Sequence, residues 1–356
     1  MSREQRKQDH IQEAIQQHHT RSPFDDIHFI HQTLATSTFD HCKLETTFLN
    51  QTISAPFLIN AMTGGGGEKT TRINQQLAEA ARHFKIPMAV GSQMAAIKEK
   101  QQEHTYRIIR DVAPDTFFLA NLGAEATVDD ALRAIDMIDA NALQIHFNHI
   151  QELAMPEGDR DFSNRVAHLE DIVAASPVPV IAKEVGFGMT REAVKQLYEV
   201  GVHAVDVSGA GGTNFSQIEN ARRHLPLSFF NNWGIETPTA LIEATSLRLP
   251  IPLIASGGIS SSLDIAKALS LGASVAGMSG LLIKTLQTKG YDALISCMEQ
   301  IIEDLRYIMT ALNVHSISDL KNVPLLIKGE THHWLTERGI DTKAFAQRTS
   351  SCFSAL

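Results

Sequence analysis

The chain has 356 residues, of which 43% are hydrophobic and 20% charged, so it can bury a substantial core. The 31 Lys and Arg against 40 Asp and Glu give a net charge of −9, which argues against general nucleic-acid binding. Cys42, Cys297 and Cys352 have neither metal-ligand nor CxxC spacing, as is typical of a reduced compartment. The polar start has no signal-peptide core, and no apolar run reaches the roughly 18 residues that span a membrane. We therefore expect a cytoplasmic protein that binds neither nucleic acid nor membranes.

Short apolar runs alternate with helix-period stretches along most of the chain. Eight runs are typical of parallel strands buried on both faces: Ile53–Gly65, Ile86–Gln93, Thr116–Gly123, Ala142–Asn148, Val178–Gly186, His203–Gly209, Ile251–Gly258 and Ala273–Gly280. Eight such units predict an α/β fold, a closed (β/α)₈ barrel, with an open doubly wound sheet as the alternative. A ninth run, Leu227–Gly234, carries paired Asn residues and is assigned to the sixth loop.

The segments on either side of the barrel are predicted to be largely helical. Residues 1–50 are expected to form an extension that acts as a lid over the barrel mouth, with a helix over Arg3–His19. Residues 51–356 are expected to form the barrel and a helical tail, with a helix over Cys297–Asn313 and a short helix near Ser318.

Polar residues follow six of the predicted strands where each strand ends. They are Met62 to Gly65, Ser92 with Gln93, Asn121, His146 with Asn148, Lys183 with Glu184, and Ser208 to Thr213. In a (β/α)₈ barrel these ends share one face, which carries the active site. Six polar ends together therefore predict a site lined from many strands.

Glycine-containing turns follow the seventh and eighth strands, in ASGGIS and GMSG, and each leads into a helical stretch. Backbone amides at such turns can approach a phosphate closely, and the helix dipoles favour an anion. Both loops together favour a phosphate cradle; the alternative is that Gly257, Gly258 and Gly280 only make tight turns.

Lys183 follows an otherwise apolar run, VIAKEV. A lysine there can neutralise an anionic ring atom or a phosphate, form a Schiff base, or pair with Glu184 or Asp206. Contact with an anion or a ring is the favoured interpretation.

The segment HFNHIQE places His146 and Asn148 on one strand face, with Gln151 and Glu152 in the following loop. One carboxylate beside amides and a histidine suits Mg²⁺ that completes its shell with water and phosphate oxygens. The alternative is a core histidine and an acid at a helix N-terminus.

The segment RKQDH places Arg6, Lys7 and His10 on one helix face. Such a face can supply cations to a diphosphate; the alternative is an ordinary solvated surface.

The order of motifs resembles one family. RKxDH, AMTGG, GSQ, ANLG, HxNxxQE, KEVG, DVSGAGGT, WGI, ASGGI and GMSG follow one another from Arg6 to Gly280. This set resembles the type 2 isopentenyl-diphosphate isomerases, which are FMN-dependent (β/α)₈ barrels. The resemblance implies interconversion of isopentenyl and dimethylallyl diphosphate with reduced FMN and Mg²⁺, with NADPH as reductant, in a homo-oligomer (tetramer or octamer).

The resemblance also implies residue roles. The implied FMN contacts are Met62, Thr63, Gly64, Ser92, Asn121, Lys183, Ser208 and Thr213, with Gly257, Gly258, Ile259, Ser279 and Gly280 around the phosphate. Arg6, Lys7 and His10 would hold the diphosphate, Gln151 would contact the substrate, and Ser92 and Gln93 would lie between flavin and substrate. The implied catalytic residues are Gln151, His146, Asn148 and Lys183, and the implied Mg²⁺ ligand is Glu152.

One position departs from the family pattern. Met94 stands where many members have an arginine that helps to hold the substrate, so another cation is expected to replace it. Two other functions stay open at this stage: an FMN-dependent oxidoreductase of the lactate-oxidase or dihydroorotate-dehydrogenase type, and a non-catalytic flavin- or phosphate-binding protein.

Overall fold

The structure, a computed structural model, describes residues 17, 21–31, 33–62, 64 and 66–349. The predicted Arg3–His19 helix lies outside the described residues, apart from Gln17. The cationic residues Arg6, Lys7 and His10, the cofactor residue Thr63, and Cys352 also lie outside them.

Eight parallel strands close into a barrel, so the predicted (β/α)₈ fold is confirmed and the open sheet is wrong. The strands are β4 (Phe57–Ile59), β5 (Met88–Ala89), β6 (Phe118–Gly123), β7 (Ala142–Phe147), β8 (Val180–Glu184), β9 (Ala204–Asp206), β10 (Leu253–Ser256) and β11 (Val275–Met278). Neighbours in the barrel follow chain order, and β11 pairs with β4 to close it. Both faces of each strand are covered, which explains the near-continuous apolar runs.

Helices surround the barrel and connect its strands. They are α1 (Gly67–Phe84), α2 (Met94–Lys98), α3 (His104–Val112), α4 (Val128–Met137), α5 (His149–Ala154), α6 (Arg165–Ala175), α7 (Arg191–Val200), α8 (Phe215–Ala221), α9 (Thr237–Ser246), α10 (Ser262–Leu271) and α11 (Gly280–Lys289). The run Leu227–Gly234 contains a 3₁₀ helix (Ser228–Asn232) between α8 and α9. Its assignment to the sixth loop is confirmed.

A short hairpin closes the amino-terminal end of the barrel. Strands β2 (Thr46–Phe48) and β3 (Gln51–Ile53) pair antiparallel. Phe48 and Ile53 pack in a cluster with one early residue from each of the eight barrel strands. Ile53 was expected in the first barrel strand; it belongs to the hairpin instead, and β4 begins at Phe57. The predicted boundary at residue 50 falls in the hairpin turn.

The two ends of the described chain are joined by a second small sheet. Strand β1 (Ile27–Phe29) pairs antiparallel with β12 (Leu325–Ile327). The tail otherwise consists of α12 (Tyr291–Ala311), a 3₁₀ helix (Ile317–Asn322), α13 (Gly329–Glu337) and α14 (Lys343–Ala346). The predicted helix over Cys297–Asn313 is confirmed within α12. Further 3₁₀ helices span Pro23–Asp26, Phe39–His41 and Lys100–Gln102. Within the described part of the chain, no helix has the length and apolarity needed to cross a membrane.

Candidate active site

The barrel interior has an apolar lower layer and a polar upper layer. The lower layer is the cluster that packs on the hairpin, with Leu58, Leu119 and Ile181 among its members. Because side chains alternate along a strand, the residue two positions further on points the same way. Those positions hold Asn60, Asn121, Gln144, Lys183, Asp206 and Ser256, all buried. The polar layer lies at the carboxyl ends of the strands, where barrel active sites form.

A first cavity of about 620 Å³ lies between the loops after β9, β10 and β11. The predicted phosphate residues all line it: Gly257, Gly258, Ile259, Ser279 and Gly280, together with Ser208 and Thr213. A Cβ atom at Gly212 would lie 2.6 Å from the backbone nitrogen of Gly258. The two loops therefore approach each other closely through their glycines, as a backbone anion cradle requires.

The first turn of α11 opens on this cavity. Its N-cap residue Ser279 does not cap the helix with its side chain, because its hydroxyl donates to the Asn60 carbonyl oxygen at 3.0 Å. A Cβ atom at Gly280 would meet nothing within 4 Å, so this glycine leaves open space before the helix. Uncapped N–H groups and the helix dipole make this end suitable for a phosphate. Two cations also line the cavity, Arg21 and Lys284, and sequence patterns did not indicate either.

A second cavity of about 500 Å³ adjoins the first. The predicted residues that line it are Gly64, Ser92, Met94, Asn121, His146, Asn148, Gln151 and Glu152. Met62 and Lys183 line both cavities, as do Ala61, Val185 and Phe215. Apart from Gln93 and the residues outside the described part of the chain, the predicted cofactor and substrate residues thus line two cavities that share one wall.

Lys183 stands in that shared wall and is 6% exposed. Its ammonium group donates to the carbonyl oxygen of Glu184 at 2.7 Å and to the Ser208 hydroxyl at 3.0 Å. It lies 3.5 Å from a carboxylate oxygen of Asp206. Of the two carboxylates considered as partners, Asp206 therefore forms the ion pair. The Lys183 ammonium group thus lies beside both cavities and is held in place by Asp206, Ser208 and the Glu184 carbonyl group.

Glu184 is adjacent to Lys183 but points to the opposite side of β8. Its Oε2 accepts hydrogen bonds from the backbone N–H groups of Gly186 and Phe187, at 2.6 and 2.5 Å. Its Oε1 is buried and has no hydrogen-bond partner among the described residues. Burial, opposed by these bonds, raises the pKa of Glu184 to about 8. Glu184 therefore supports the loop after β8 rather than the cavities.

His146 is positioned by the neighbouring strand. Its Nδ1 lies 2.9 Å from the side-chain oxygen of Asn121, because β6 and β7 pair in parallel with Gly123 opposite His146. Burial lowers the pKa of His146 to about 4, with Lys183 contributing in the same direction and Glu125 opposing it. The ring is therefore neutral at pH 7 and can act as both donor and acceptor.

Glu152 lies in the first turn of α5, at the mouth of the second cavity. Its carboxylate accepts from the Asn148 amide at 2.9 Å and from the backbone N–H of Asp159 at 2.8 Å. Burial raises its pKa, and the nearby carboxylates Glu125 and Asp159 add to this effect. A divalent cation would relieve both causes, and lone pairs remain for it because a carboxylate accepts about four hydrogen bonds.

Gln93 is the predicted site residue that the structure turns away from the cavities. Its side chain is fully buried. Its amide group donates to the Ala134 carbonyl oxygen at 2.9 Å, and its oxygen accepts from the Asn121 backbone at 3.0 Å. Gln93 therefore supports Asn121 from behind, whereas Ser92 beside it lines the second cavity.

Sequence comparison identifies the relatives of this chain. The family described as FMN-dependent dehydrogenase matches residues 125–326. The isopentenyl-diphosphate delta-isomerase of Bacillus cytotoxicus is 53% identical over 349 residues, which are 98% of this chain and 100% of that protein. The proteins of the same name from Geobacillus sp. (strain WCH70) and Bacillus cereus (strain AH187) are 50% and 52% identical with the same coverage.

Solved structures with the same fold are more distant. A mandelate oxidase with 2-hydroxy-phenylacetamide has a TM-score of 0.63 at 16% identity, covering 92% of this chain and 97% of its own. A flavocytochrome b2 with benzoylformate has a TM-score of 0.64 at 16% identity, covering 94% of this chain and 82% of its own. These structures share the barrel fold. On the sequence relatives and the matching flavin family, the chain belongs to the isopentenyl-diphosphate delta-isomerase family, in its FMN-dependent type 2 form.

Proposed function

We propose that this protein interconverts isopentenyl diphosphate and dimethylallyl diphosphate, with FMN in the first cavity and the substrate in the second. The observation that carries the proposal is the shared wall: Lys183 and Met62 line both cavities. Lys183 and Met62 would then contact the flavin on one side and the substrate on the other. The reaction moves a proton on and off carbon without net oxidation, so it needs an acid and a base rather than an electron acceptor.

The residues of the first cavity fit FMN. The glycines after β10 and the open first turn of α11 suit the phosphate, and Lys284 adds a positive charge. Reduced FMN, when bound, supplies a ring nitrogen that can give and take the proton. Lys183 stabilises negative charge on the reduced ring, and Asp206 and Ser208 hold its ammonium group in place. The proposed remaining contacts are Met62, which lines both cavities, Gly64, Ser92 and Asn121, which line the second cavity, and Thr63.

The residues of the second cavity fit a diphosphate with a divalent cation. Among the described residues no group of three or more His, Cys, Asp or Glu could hold a metal ion. Glu152 would hold Mg²⁺ as its protein ligand, and water and diphosphate oxygens would supply the remaining ligands. Asn148 orients the Glu152 carboxylate through the hydrogen bond between them. His146 and Gln151 contact the substrate beside it.

Cationic side chains from two places hold the diphosphate in this proposal. Arg6, Lys7 and His10 act from residues 1–50, which serve as a lid over residues 51–356. Lys98 lines the second cavity and follows Met94 by four residues on α2, so both lie on one helix face. Lys98 thus provides a cation where Met94 does not. NADPH as reductant, a homo-oligomeric assembly (tetramer or octamer) and a cytoplasmic location complete the proposal.

An anaerobic omission assay tests the function. Purified protein is given isopentenyl diphosphate, FMN, NADPH and Mg²⁺, each omitted in turn, and the product ratio is followed over time. The proposal expects dimethylallyl diphosphate to accumulate to equilibrium while NADPH is consumed only in the amount of enzyme. NADPH consumption in step with product would indicate an oxidoreductase. FMN binding without turnover would indicate a non-catalytic flavoprotein.

A further inference from the structure

Five polar side chains form one continuous chain of hydrogen bonds across the upper interior layer. The Asn60 amide donates to Asp206 at 2.7 Å, the Gln144 amide to Asn60 at 3.1 Å, and the Asn121 amide to Gln144 at 3.0 Å. His146 Nδ1 ends the chain, 2.9 Å from the Asn121 oxygen. Asp206 and the three amide residues are each at most 3% exposed, so water competes little for these bonds. We call this set the amide chain.

The amide chain can run in only one direction. Asp206 is a carboxylate and only accepts, so Asn60 must present its NH₂ group there and its oxygen elsewhere. The backbone N–H of Ala61 also donates to that oxygen, at 2.9 Å, which fixes the orientation of Asn60 independently. Each following amide donates at one end and accepts at the other, so the oxygen of Asn121 is the atom that meets His146.

The anchor of the amide chain is itself held in place. Oδ1 of Asp206 accepts from the Ser256 hydroxyl at 2.7 Å and from the Ser208 backbone at 3.2 Å. Oδ2 lies 3.5 Å from the Lys183 ammonium group. The Asp206 carboxylate therefore both orients Asn60 and pairs with Lys183. Its other hydrogen bonds prevent it from rotating away from these two partners.

This direction determines the state of His146. An amide oxygen accepts and cannot donate, so a neutral His146 carries its proton on Nδ1 and its lone pair on Nε2. We propose that Asn60 and Gln144 are positioning residues, which act through Asn121 to hold His146, a residue that lines the second cavity, as the Nδ1–H tautomer, so that Nε2 is its acceptor nitrogen. The tautomer follows from the hydrogen bonds alone; its role in isomerisation rests on the proposed function.

Packing alone does not require amides in these positions. The layer directly below fills the same barrel with apolar side chains, including Ala142 two residues before Gln144 on β7. A buried amide that loses its partner destabilises the fold. Because every hydrogen bond of the amide chain is made, each of its side chains is held in one orientation. The amide chain begins at the Asp206 carboxylate and ends at the His146 ring, which lines the second cavity.

Nitrogen NMR of the full chain tests the tautomer directly. Protein labelled with ¹⁵N-histidine is measured at neutral pH, with and without FMN, and the His146 signals are identified by their loss in His146→Gln. We expect a protonated Nδ1 and an unprotonated Nε2. A protonated Nε2 in the unmodified protein would overturn the proposal.

Two changes at Gln144 separate orientation from packing. Gln144→Met breaks the amide chain, which frees the Asn121 amide to turn over, so we expect the Nε2–H form of His146 to appear. Gln144→Glu should preserve the Nδ1–H form, because a protonated carboxyl group can donate to Asn60 and accept from Asn121. Burial favours the protonated form of a carboxyl group, the direction in which burial also moves the pKa of Glu184. Asn74→Leu, which removes the buried bond to the Thr105 carbonyl oxygen, is the control and should leave the His146 signals unchanged.

Turnover gives a second and separate measurement. Gln144→Met should lower kcat by roughly tenfold to a hundredfold with little change in KM, and Gln144→Glu should recover most of it. An unchanged single tautomer in Gln144→Met would refute the proposal whatever the activity. If the tautomer changes but the omission assay shows no isomerisation, the proposed function fails and the amide chain stands.

Discussion

Neighbouring residues on one strand serve opposite purposes in this protein. Lys183 points into the barrel and lines both cavities, whereas Glu184 points outward and holds the loop after β8. The sequence predicted a polar strand end at both positions and left open which carboxylate pairs with Lys183. Strand alternation makes Asp206 the partner, since it lies opposite Lys183 in the parallel pairing of β8 and β9. The sequence was enough to recognise the motifs at the strand ends. The pairing of the strands was needed to show which way each side chain points.

Other site residues could not be recognised from the sequence because they lie within apolar runs. Asn60 lies in FLINAM and Gln144 in ALQIHF, where a single polar residue does not disturb the pattern of a buried strand. Their function depends on residues far along the chain: Asn60 bonds with Asp206, 146 positions away, and with Gln144, 84 positions away. Only closure of the barrel brings these groups together.

Glu152→Gln tests the proposed metal ligand. We expect Mg²⁺-dependent turnover to fall by roughly tenfold or more, because the amide lacks the charge that a hard cation prefers, while FMN binding stays unchanged. The Mg²⁺ dependence of kcat/KM and the FMN dissociation constant are the measurements. Glu170→Gln, at an exposed position of α6, is the control. Equal Mg²⁺ dependence of kcat/KM in the two variants would show that Glu152 is not a Mg²⁺ ligand.

Lys98→Ala tests the replacement of the missing arginine. Loss of a cation beside the diphosphate should raise the substrate KM by roughly fivefold to tenfold, the equivalent of about 1–1.4 kcal/mol, with kcat little changed. Lys100→Ala removes the same charge two residues further on, outside the residues that line either cavity. Steady-state kinetics give the substrate KM of both variants. Equal KM values would mean that Lys98 does not contact the diphosphate.

Among the elements, the strands of the barrel were predictable and the four strands outside it were not. Each barrel strand, even the two-residue β5, lies within a longer apolar run because both of its faces are buried. The strands β1, β2, β3 and β12 have three residues each and no such pattern indicates them. The turn of the β2–β3 hairpin also lacks a sequence signal: Leu49 and Asn50 both have positive φ angles, 47° and 64°, and only Asn is a usual residue there.

Phe48→Ala tests whether the β2–β3 hairpin stabilises the fold by closing the amino-terminal end of the barrel. Phe48 is 1% exposed inside the lower layer, so truncation should lower the free energy of unfolding by about 3–5 kcal/mol. FMN binding to the folded protein should persist, because the cavities lie at the other end of the barrel. Urea unfolding is the measurement. Phe229→Ala is the matched control, since Phe229 is 62% exposed and should change stability very little. Similar losses in both variants would mean that the hairpin does not close the core.

At the scale of the whole molecule, charge is distributed unevenly. The net charge of −9 describes the chain as a whole. Arg21, Lys183 and Lys284 line the first cavity beside Asp25, so an anion can bind there in an acidic protein. The second cavity has Lys98 and Lys183 beside four carboxylates, Glu125, Glu152, Glu157 and Asp159, so a diphosphate there would also need the divalent cation. The composition could predict the overall sign, but only the fold shows where the cations collect.

The pH dependence of stability has two opposed contributions. The folded pKa of Glu184 is raised from 4.5 to about 8, so its contribution is complete below pH 4.5 and is lost as the pH rises to 8. The folded pKa of His146 is lowered from 6.5 to about 4, so its contribution is present above pH 6.5 and is lost as the pH falls to 4. Between pH 4.5 and 6.5 the two slopes oppose each other.

Glu184→Gln isolates one of these contributions. Relative to the unmodified protein, the variant should gain stability as the pH rises from 4.5 to 8, by at most about 1.4 kcal/mol per pH unit. Urea unfolding across this range is the measurement, with Glu199→Gln on the surface of α7 as the control. A constant difference between the two proteins would show that Glu184 does not titrate in this range.

The pairing of β1 with β12 connects the C-terminal tail to the loops around the first cavity. β1 follows Pro23, whose ring lies against the glycine loops: a Cβ atom at Gly211 or Gly258 would come within 2.6 Å of it. Asp26 accepts a hydrogen bond from the Thr331 backbone in the tail, and Lys328 donates from its backbone to the Asp26 carbonyl oxygen. A fusion or deletion that frees β12 should therefore first show itself as faster FMN release, before the barrel unfolds.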